Sequence, residues 1–458
     1  MPLRRQNLES AAAAGTRPSR MPQIFGLLIS LVLVAGACNE SPDPQFSLNS
    51  VEFLKQEKAS LPEDEHFADS YREEIRQILG SLFGTPEDPK FPFLEGEEDE
   101  AHEFINLEDL KRSAGKVPSD PAGLAGKGLY REHCSHCHGI TGNGAGPTAK
   151  HLNPYPRDFR LSKFKFKSTP LRRSPTDDDM HRILRDGIPG SAMPSFRSLP
   201  EEDLAALVNY VKYLTIRGQL ERLLIAELES MDGEPLLELS YAEPEQGDLV
   251  ATMARIEEDD REEDPSEEEE LFEEQLDYIL YELLQEGPLA RWSNPDRSIT
   301  KVPAAPAAIA PGHEEHQTLV DQGRELFFAK GNCAQCHGDT AMGDGQTASY
   351  DDWTNDWVKS AGVDPTDPST YQDFLTAGAL EPRPIRPRNL HEFVYRGGGR
   401  PQDLYRRIKN GIEGTPMPAG ATLSEAEIWA LVAYVKWLPF GHAETTAPKR
   451  VNDKAIAR

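Results

Sequence analysis

Four stretches of the chain place apolar residues three or four positions apart, which is helical spacing. Two of them lie in acidic surroundings: residues 70–84, SYREEIRQILGSLFG, end at glycine, and residues 271–287 read LFEEQLDYILYELLQEG. The apolar positions of the second stretch form one stripe: Phe272, Leu276, Ile279, Leu280, Leu283 and Leu284. The pattern predicts an amphipathic helix in each stretch, and the second is expected to dock on another part of the protein.

The other two stripes each close one copy of an internal repeat. They consist of Leu204, Leu207, Val208, Val211 and Leu214 in the first copy, and of Ile428, Leu431, Val432, Val435 and Leu438 in the second. Ahead of each stripe the same features follow in order: a Cys-x-x-Cys-His motif, a Pro-Arg pair and a Met-Pro pair in a Gly/Pro-rich loop. The sequence therefore predicts one small helical module in two copies.

Charge is distributed unevenly in this chain, whose net charge is −28. Most acidic residues lie outside the two copies, and the run at 257–270, EEDDREEDPSEEEE, is interpreted as a solvated linker that its own repulsion keeps open. The alternative is a site for a basic partner. The first copy is basic, and its run KFKFK at 163–167 is interpreted either as solvated or as a surface that steers an acidic partner. The acidic linker is a further candidate to fold back on this run.

The N-terminus has the outline of a secretory signal. Arginines precede the apolar run IFGLLISLVLVAGA, which is shorter than the roughly 20 residues that cross a bilayer. Cleavage after Ala35-Gly36-Ala37 releases the chain with a lone thiol, Cys38. Alternatively, residues 34–38 resemble a bacterial lipoprotein box, in which Cys38 is acylated. We favour lipidation because it gives every cysteine of the chain a role.

The repeated Cys-x-x-Cys-His motif is typical of covalent haem attachment, because one helical turn presents two thiols to the vinyl groups and one imidazole to the iron. It occurs at Cys134, Cys137 and His138, and again at Cys333, Cys336 and His337. A zinc site is the first alternative, but the two cysteine pairs lie much further apart than in a zinc ribbon. A thioredoxin-like dithiol is the second, but neither pair follows a predicted strand, and a histidine comes directly after each.

Two methionines are candidates for a sixth iron ligand. Met193 and Met417 recur at matched places in the loops GIPGSAMPSF and GIEGTPMPAG, away from the apolar stripes, and a proline after each stiffens the loop. The alternative is that they fill the core. The remaining histidines, His133, His136, His151, His391, His313 and His316, are interpreted as polar residues rather than ligands, with His151 or His391 as the next axial choices.

Each module resembles a class I cytochrome c domain, on the Cys-x-x-Cys-His motif and the downstream methionine. The resemblance implies a mainly α fold with crossing N- and C-terminal helices and two covalently attached haem c groups. It assigns Cys134, Cys137, His138 and Met193 to the first haem and Cys333, Cys336, His337 and Met417 to the second. Pro147 would correspond to the family's loop proline, whose carbonyl orients the proximal imidazole. The second module lacks such a proline.

The expected organisation is therefore two cytochrome c-like domains joined by acidic linkers with extra amphipathic helices. The predicted boundaries are a signal peptide at 1–37, an acidic region with a helix at 38–120, the first domain at 121–218, an acidic linker with an amphipathic helix at 219–312, the second domain at 313–442 and a tail at 443–458.

His/Met ligation keeps iron six-coordinate in both oxidation states, which suits electron transfer. The sequence therefore predicts a di-haem carrier of single electrons in an extracytoplasmic respiratory chain, without substrate turnover at iron. It is expected in the periplasm, anchored to a membrane through lipidated Cys38, with redox proteins as donors and acceptors and no nucleic acid partner. The alternatives are a di-haem peroxidase, a thiosulfate-oxidising di-haem enzyme with a cysteine ligand, and a cytochrome subunit of a membrane oxidase or dehydrogenase complex.

Overall fold

The computed structural model describes residues 45–62, 65–92, 105–116, 128–231, 233–238, 249 and 266–441. The predicted signal peptide, Cys38, most of the acidic run at 257–270 and the predicted tail lie outside the described residues. The described part is helical and forms no β-strand, only the isolated bridges Gly84 to Pro89 and Tyr350 to Pro384. The prediction of a mainly α fold is confirmed. No helix in this part of the chain is long and apolar enough to cross a membrane.

The α-helices are α1 (Ser50–Ser60), α2 (Asp69–Phe83), α3 (Leu107–Ser113), α4 (Leu129–His133), α5 (Ser135–His138), α6 (Asp177–Asp186), α7 (Glu201–Glu227), α8 (Glu267–Asp277), α9 (Ala290–Trp292), α10 (His316–Phe328), α11 (Ala334–His337), α12 (Asp352–Ala361), α13 (Gln372–Thr376), α14 (Pro401–Asn410) and α15 (Glu425–Trp437). Residues Tyr278–Leu289 continue α8 with π-type hydrogen bonding. Short 3-10 turns span Ala149–His151, Phe159–Leu161, Leu228–Ser230, Pro295–Ser298, Ala307–Ile309, Pro368–Thr370 and Leu390–Glu392.

Helix α7 is the centre of the first module. Its predicted stripe is buried, and so are most residues on its other faces, because α1, α2, α3, α6 and the π-type segment all pack around it. Most of its buried residues are apolar, and the buried charges of Lys212, Arg217 and Glu221 are in ion pairs. It runs past residue 218 to Glu227, into the segment predicted as linker.

Both predicted amphipathic helices are present. Helix α2 covers the first stretch and ends at Gly84, whose φ of 66° is a conformation that favours glycine. The second stretch forms α8 and the π-type segment, and all six residues of its stripe are buried. Its partner is α7, against which the indole of Trp292 also lies, with Nε1 donating to Oε1 of Gln219 at 3.4 Å.

Helices α10 and α15 cross in the second module and carry its core. The crossing is close because α10 presents Gly323 to the main chain of Ala430. The predicted stripe on α15 is buried from Ile428 to Leu438. Crossing helices of this kind were implied by the resemblance to class I cytochromes c.

The second module has more residues between its Cys-x-x-Cys-His motif and its methionine loop than the first, and the N-terminal helix α1 packs on this insertion. Helices α12 and α13 stack Trp357 on Phe374, with ring centroids 4.6 Å apart, and α1 packs on this cluster. Lys55 of α1 is bonded to Asp356 of the insertion at 3.0 Å. Since α1 also packs on α7, the N-terminal region connects the two modules.

Candidate functional sites

Each Cys-x-x-Cys-His motif forms one helical turn. The carbonyl of Cys134 accepts hydrogen bonds from the main-chain N–H groups of Cys137 and His138, at 3.1 and 2.9 Å. The carbonyl of Cys333 accepts the corresponding two bonds from Cys336 and His337, at 3.2 and 2.9 Å. None of the four cysteines is in a disulfide. Both turns therefore present two free thiols and one imidazole within a few residues.

The imidazole of each motif is oriented by a main-chain carbonyl from the Pro-Arg pair downstream. Nδ1 of His138 lies 2.9 Å from the carbonyl oxygen of Arg157, and Nδ1 of His337 lies 3.2 Å from that of Arg388. Because a carbonyl only accepts, Nδ1 carries the proton, which leaves the lone pair of Nε2 for a metal. The expectation that Pro147 supplies this carbonyl is wrong. The repeat assigns the role to equivalent arginines in both modules.

The protonation states suit imidazole ligation more than thiolate ligation. Burial lowers the pKa of His138 to about 4 and also lowers the pKa of His337, so both rings are neutral near pH 7. Burial raises the pKa of Cys134 to about 12 and that of Cys333 to about 11. Zinc binds the thiolate form, so these raised pKa values oppose a structural zinc site.

The two methionine loops are closed by the same hydrogen bonds. The hydroxyl of Ser191 donates to the carbonyl of Ile188 at 2.7 Å and accepts from the main-chain N–H of Met193 at 3.2 Å. Thr415 makes the same pair of bonds in the second module, to Ile412 at 2.8 Å and from Met417 at 3.2 Å. Both methionine side chains are half-buried. The repeat therefore extends from sequence to loop geometry.

A glycine at the end of the preceding helix allows each loop to turn back. Gly187 has a φ of 66°, and a Cβ built on it would lie 2.7 Å from the main chain of Pro194. Gly411 has a φ of 73°, and its Cβ would lie 2.7 Å from the carbonyl oxygen of Met417. A side chain at either position would push the methionine segment away from its helix.

The other histidines occupy the polar positions expected of them. His136 and His151 are exposed. Nε2 of His391 lies 2.8 Å from the carbonyl oxygen of Thr340, and Nδ1 of His316 lies 2.8 Å from that of Ala308. Within the described residues, no cluster of three or more His, Cys, Asp or Glu side chains is arranged to hold a metal ion.

Two segments, residues 121–211 and 318–435, match the model of the family described as cytochrome c oxidase, cbb3-type, subunit III. Both segments are cytochrome c domains. Domains of this type bind haem c through their cysteines and use it for electron transfer. The matched segments contain both Cys-x-x-Cys-His turns and both methionine loops, and together they make up less than half of the chain.

Comparison with other proteins adds no closer relationship. No curated protein matches the sequence. Among solved structures, a chain of the reducing HAO-like protein complex of Kuenenia stuttgartiensis is 23% identical, with a TM-score of 0.40, and the match covers 68% of this chain and 94% of that chain.

The basic run of the first cytochrome c domain contacts the second domain. Lys163 forms an ion pair with Asp352, and Lys167 forms one with Glu413. Burial lowers the pKa of Lys165, between them, to about 7. The interpretations of this run as solvated, or as a surface for an external acidic partner, are therefore wrong for Lys163 and Lys167. Their acidic partners belong to the same chain.

Further contacts between the two cytochrome c domains were not predicted from the sequence. Nη1 of Arg182 lies 3.3 Å from Oδ1 of Asp403, and the guanidinium of Arg383 lies 3.7 Å from the ring centroid of Tyr155. These side chains come from helices and loops far apart in sequence, and no short motif pairs them. The sequence offered one general indication of these contacts: the first domain is basic and the second is acidic, so their charges are complementary.

Proposed function

We propose that this protein is a di-haem c-type cytochrome that transfers single electrons in an extracytoplasmic respiratory chain. The observation that carries the proposal is the duplication of one complete set of groups. Each cytochrome c domain has two free thiols on one turn, an imidazole whose Nδ1 is held by a carbonyl, and a methionine in a closed loop. The donor set fits two covalently bound haem c groups.

In this proposal Cys134, Cys137, Cys333 and Cys336 hold the two haems through thioether bonds. His138 and Met193 ligate the first iron, and His337 and Met417 ligate the second. Haem c supplies the redox chemistry when it is bound, and a methionine ligand raises its reduction potential relative to a second histidine. The carbonyls of Arg157 and Arg388 fix the imidazole rings, and the closed loops limit the motion of the methionines.

Periplasmic location and membrane anchoring form part of the same proposal. Residues 1–37 would be removed on export, and acylated Cys38 would tether the mature chain near its redox donors and acceptors. Mass spectrometry of the mature N-terminus tests this directly. We expect an acylated Cys38, and Cys38→Ser is expected to release the protein from membranes. An unmodified residue at this position in a membrane-free fraction would contradict the anchor.

The ligand assignment is tested by counting haems and replacing each methionine. We expect two haems per chain by the pyridine haemochrome method, and a far-red methionine-to-iron charge-transfer band in the oxidised protein. Met193→Ala and Met417→Ala should each remove about half of that band. The matched control is Met342→Ala, since Met342 is 56% exposed and lies outside both methionine loops.

The di-haem peroxidase alternative makes the opposite prediction. Such an enzyme needs an iron with an open distal site, so at least one haem of the unmodified protein would be high-spin and would consume peroxide. A high-spin spectrum, or a far-red band that neither methionine replacement reduces, would contradict the carrier proposal.

A second candidate function is a cytochrome subunit of a membrane oxidase. The family described as cytochrome c oxidase, cbb3-type, subunit III, favours it, because both segments match that model. Purification from native membranes in mild detergent separates the candidates. A subunit is expected to co-purify with integral membrane partners at a fixed ratio, whereas a carrier is expected to elute without them.

A further inference from the structure

The loop that carries Met193 is bound by the second cytochrome c domain. Its Gly190 lies three residues before the methionine, and the carbonyl oxygen of Gly190 accepts hydrogen bonds from Nε and Nη2 of Arg396, at 3.2 and 3.0 Å. The approach is close on the other side as well. A Cβ built on Gly190 would lie 3.1 Å from the side chain of Val394 and 3.2 Å from Nη2 of Arg388.

The loop that carries Met417 is bound by the first domain. Glu413 is the third residue of this loop, and its Oε1 accepts a hydrogen bond from the main-chain N–H of Arg172 at 3.1 Å. Its Oε2 is paired with Nζ of Lys167. The two side chains of this ion pair are 12% and 4% exposed, so little solvent competes for it.

The two sets of contacts occupy equivalent places in the repeat. Gly190 and Gly414 each lie three residues before a methionine, and each is adjacent to an arginine of the other domain. Nη1 of Arg157 would lie 3.3 Å from a Cβ on Gly414. Arg157 and Arg388 are the residues whose carbonyls orient His138 and His337. In each domain, the arginine of the Pro-Arg pair thus lies against the methionine loop of the other domain.

We propose that each cytochrome c domain positions the axial methionine of the other, with Arg396 holding the Met193 loop and Lys167 holding the Met417 loop through Glu413. This inference rests on the proposed His/Met ligation. Arg396 and Lys167 are positioning residues, because they contact the loops and not the methionine sulfur. Removing either one gives the loop of the opposite domain more conformational freedom, so its methionine leaves the iron more often.

Imidazole competition in the full-length, haem-loaded protein measures that freedom. An external imidazole replaces a methionine only when the loop opens, so its apparent affinity reports loop opening. We expect Arg396→Gln to raise the affinity of the first haem for imidazole about tenfold, in keeping with the loss of hydrogen bonds from a charged donor, and to leave the second haem unchanged. Lys167→Gln should raise the imidazole affinity of the second haem and leave that of the first unchanged. Arg396→Lys, which keeps a charged donor, should raise the imidazole affinity of the first haem less than Arg396→Gln does.

Matched controls remove the same charge from the same interface. Arg383→Gln removes an arginine of the second domain that contacts Tyr155 and the carbonyl of Leu152, and Lys163→Gln removes a lysine paired with Asp352. Neither contact involves a methionine loop. Both controls are expected to leave the two imidazole affinities within about twofold of the parent protein, because substitutions that share no partner with a methionine loop act independently of it.

The two haems are read separately by NMR. The strongly shifted methyl signals of iron-bound methionine are assigned with Met193→Ala and Met417→Ala, and their loss is followed during the imidazole titration. An effect confined to the domain that carries the substitution, or equal to that of the controls, overturns the inference. If the parent protein shows no such methyl signals, the His/Met ligation itself fails, which is a distinct result.

Discussion

The crossing of α10 and α15 gives a sharp prediction for Gly323→Ala. A Cβ on Gly323 would lie 2.0 Å from the carbonyl oxygen of Ala430 and 2.8 Å from Cβ of Tyr434. An ordinary contact begins at 3.4 Å, so the helices would have to move apart by about 1.4 Å at this point. A helix main chain has no rotamer that relieves the contact. The substitution must therefore loosen the second domain's core.

The magnitude follows from two opposing contributions. Overpacking of a close-packed core costs about 1–3 kcal/mol, and this contact is with main-chain atoms, which favours the upper end. Replacing a helical glycine by alanine stabilises by about 0.5–1 kcal/mol. We expect Gly323→Ala to lower the free energy of unfolding by about 2 kcal/mol.

Gly80→Ala is the matched control for this prediction. Gly80 is an exposed position inside α2, and a Cβ built on it meets no atom within 4 Å. Only the helix contribution applies, so this variant should be more stable than the parent by about 0.5–1 kcal/mol. The same chemical change is thus expected to have opposite signs at the two positions.

Urea unfolding followed by far-UV circular dichroism and tryptophan fluorescence measures both variants. Trp429 and Trp437 lie on α15 and report on the second domain. The urea concentration at the unfolding midpoint should fall for Gly323→Ala and rise for Gly80→Ala, while the m-value stays the same. A Gly323→Ala protein at least as stable as the parent would refute the close helix crossing.

Two further predictions concern buried charges. Burial raises the pKa of Asp351 to about 7, so between about pH 4 and 7 the folded chain holds a proton that the unfolded chain has lost, and stability falls as pH rises through that window. Asp351→Asn should remove this contribution, so the variant should gain stability relative to the parent as the pH rises from about 4 to 6, below the range in which Lys165, with a pKa of about 7, loses its proton. Urea unfolding measures the difference in stability, and a difference that stays constant over this range would contradict the prediction. The fully buried Glu221 is bonded to Arg217 at 3.2 Å, so Glu221→Ala should cost about 3–5 kcal/mol, whereas Glu201→Ala, on the exposed part of α7, should cost less than about 1 kcal/mol. Equal midpoints for these two variants would show that the buried pair is not formed.

The sequence was sufficient for features that depend on neighbours along the chain. The stripe at 272–284 predicted its helix, and Cys-x-x-Cys-His predicted a helical turn that presents two thiols and an imidazole, because both patterns arise within a few residues. The partner of the helix, α7, did not follow from the pattern. An apolar stripe indicates that a face is buried and does not indicate what covers it.

The errors arose where main-chain atoms or distant residues supply the interaction. Pro147 was expected to orient the imidazole, but the carbonyl of Arg157 does so, and a carbonyl has the same chemistry in every residue. The lysines at 163 and 167 were interpreted without their partners, Asp352 and Glu413, which lie about 190–250 positions away. Long-range ion pairs have no local signature. The assignments of the haem ligands and of the lipid anchor stay predictions.

Arg157 and Arg388 each divide their atoms between two tasks. The carbonyl of each serves the histidine of its own domain, while the guanidinium lies beside the methionine loop of the other. Any residue supplies the same carbonyl, so exchanging either arginine side chain would change the contacts of the neighbouring methionine loop and would leave the hydrogen bond to the histidine of its own domain in place. In the proposed di-haem protein, this separation would let the surroundings of one methionine be changed by substitution without disturbing the histidine of the other site.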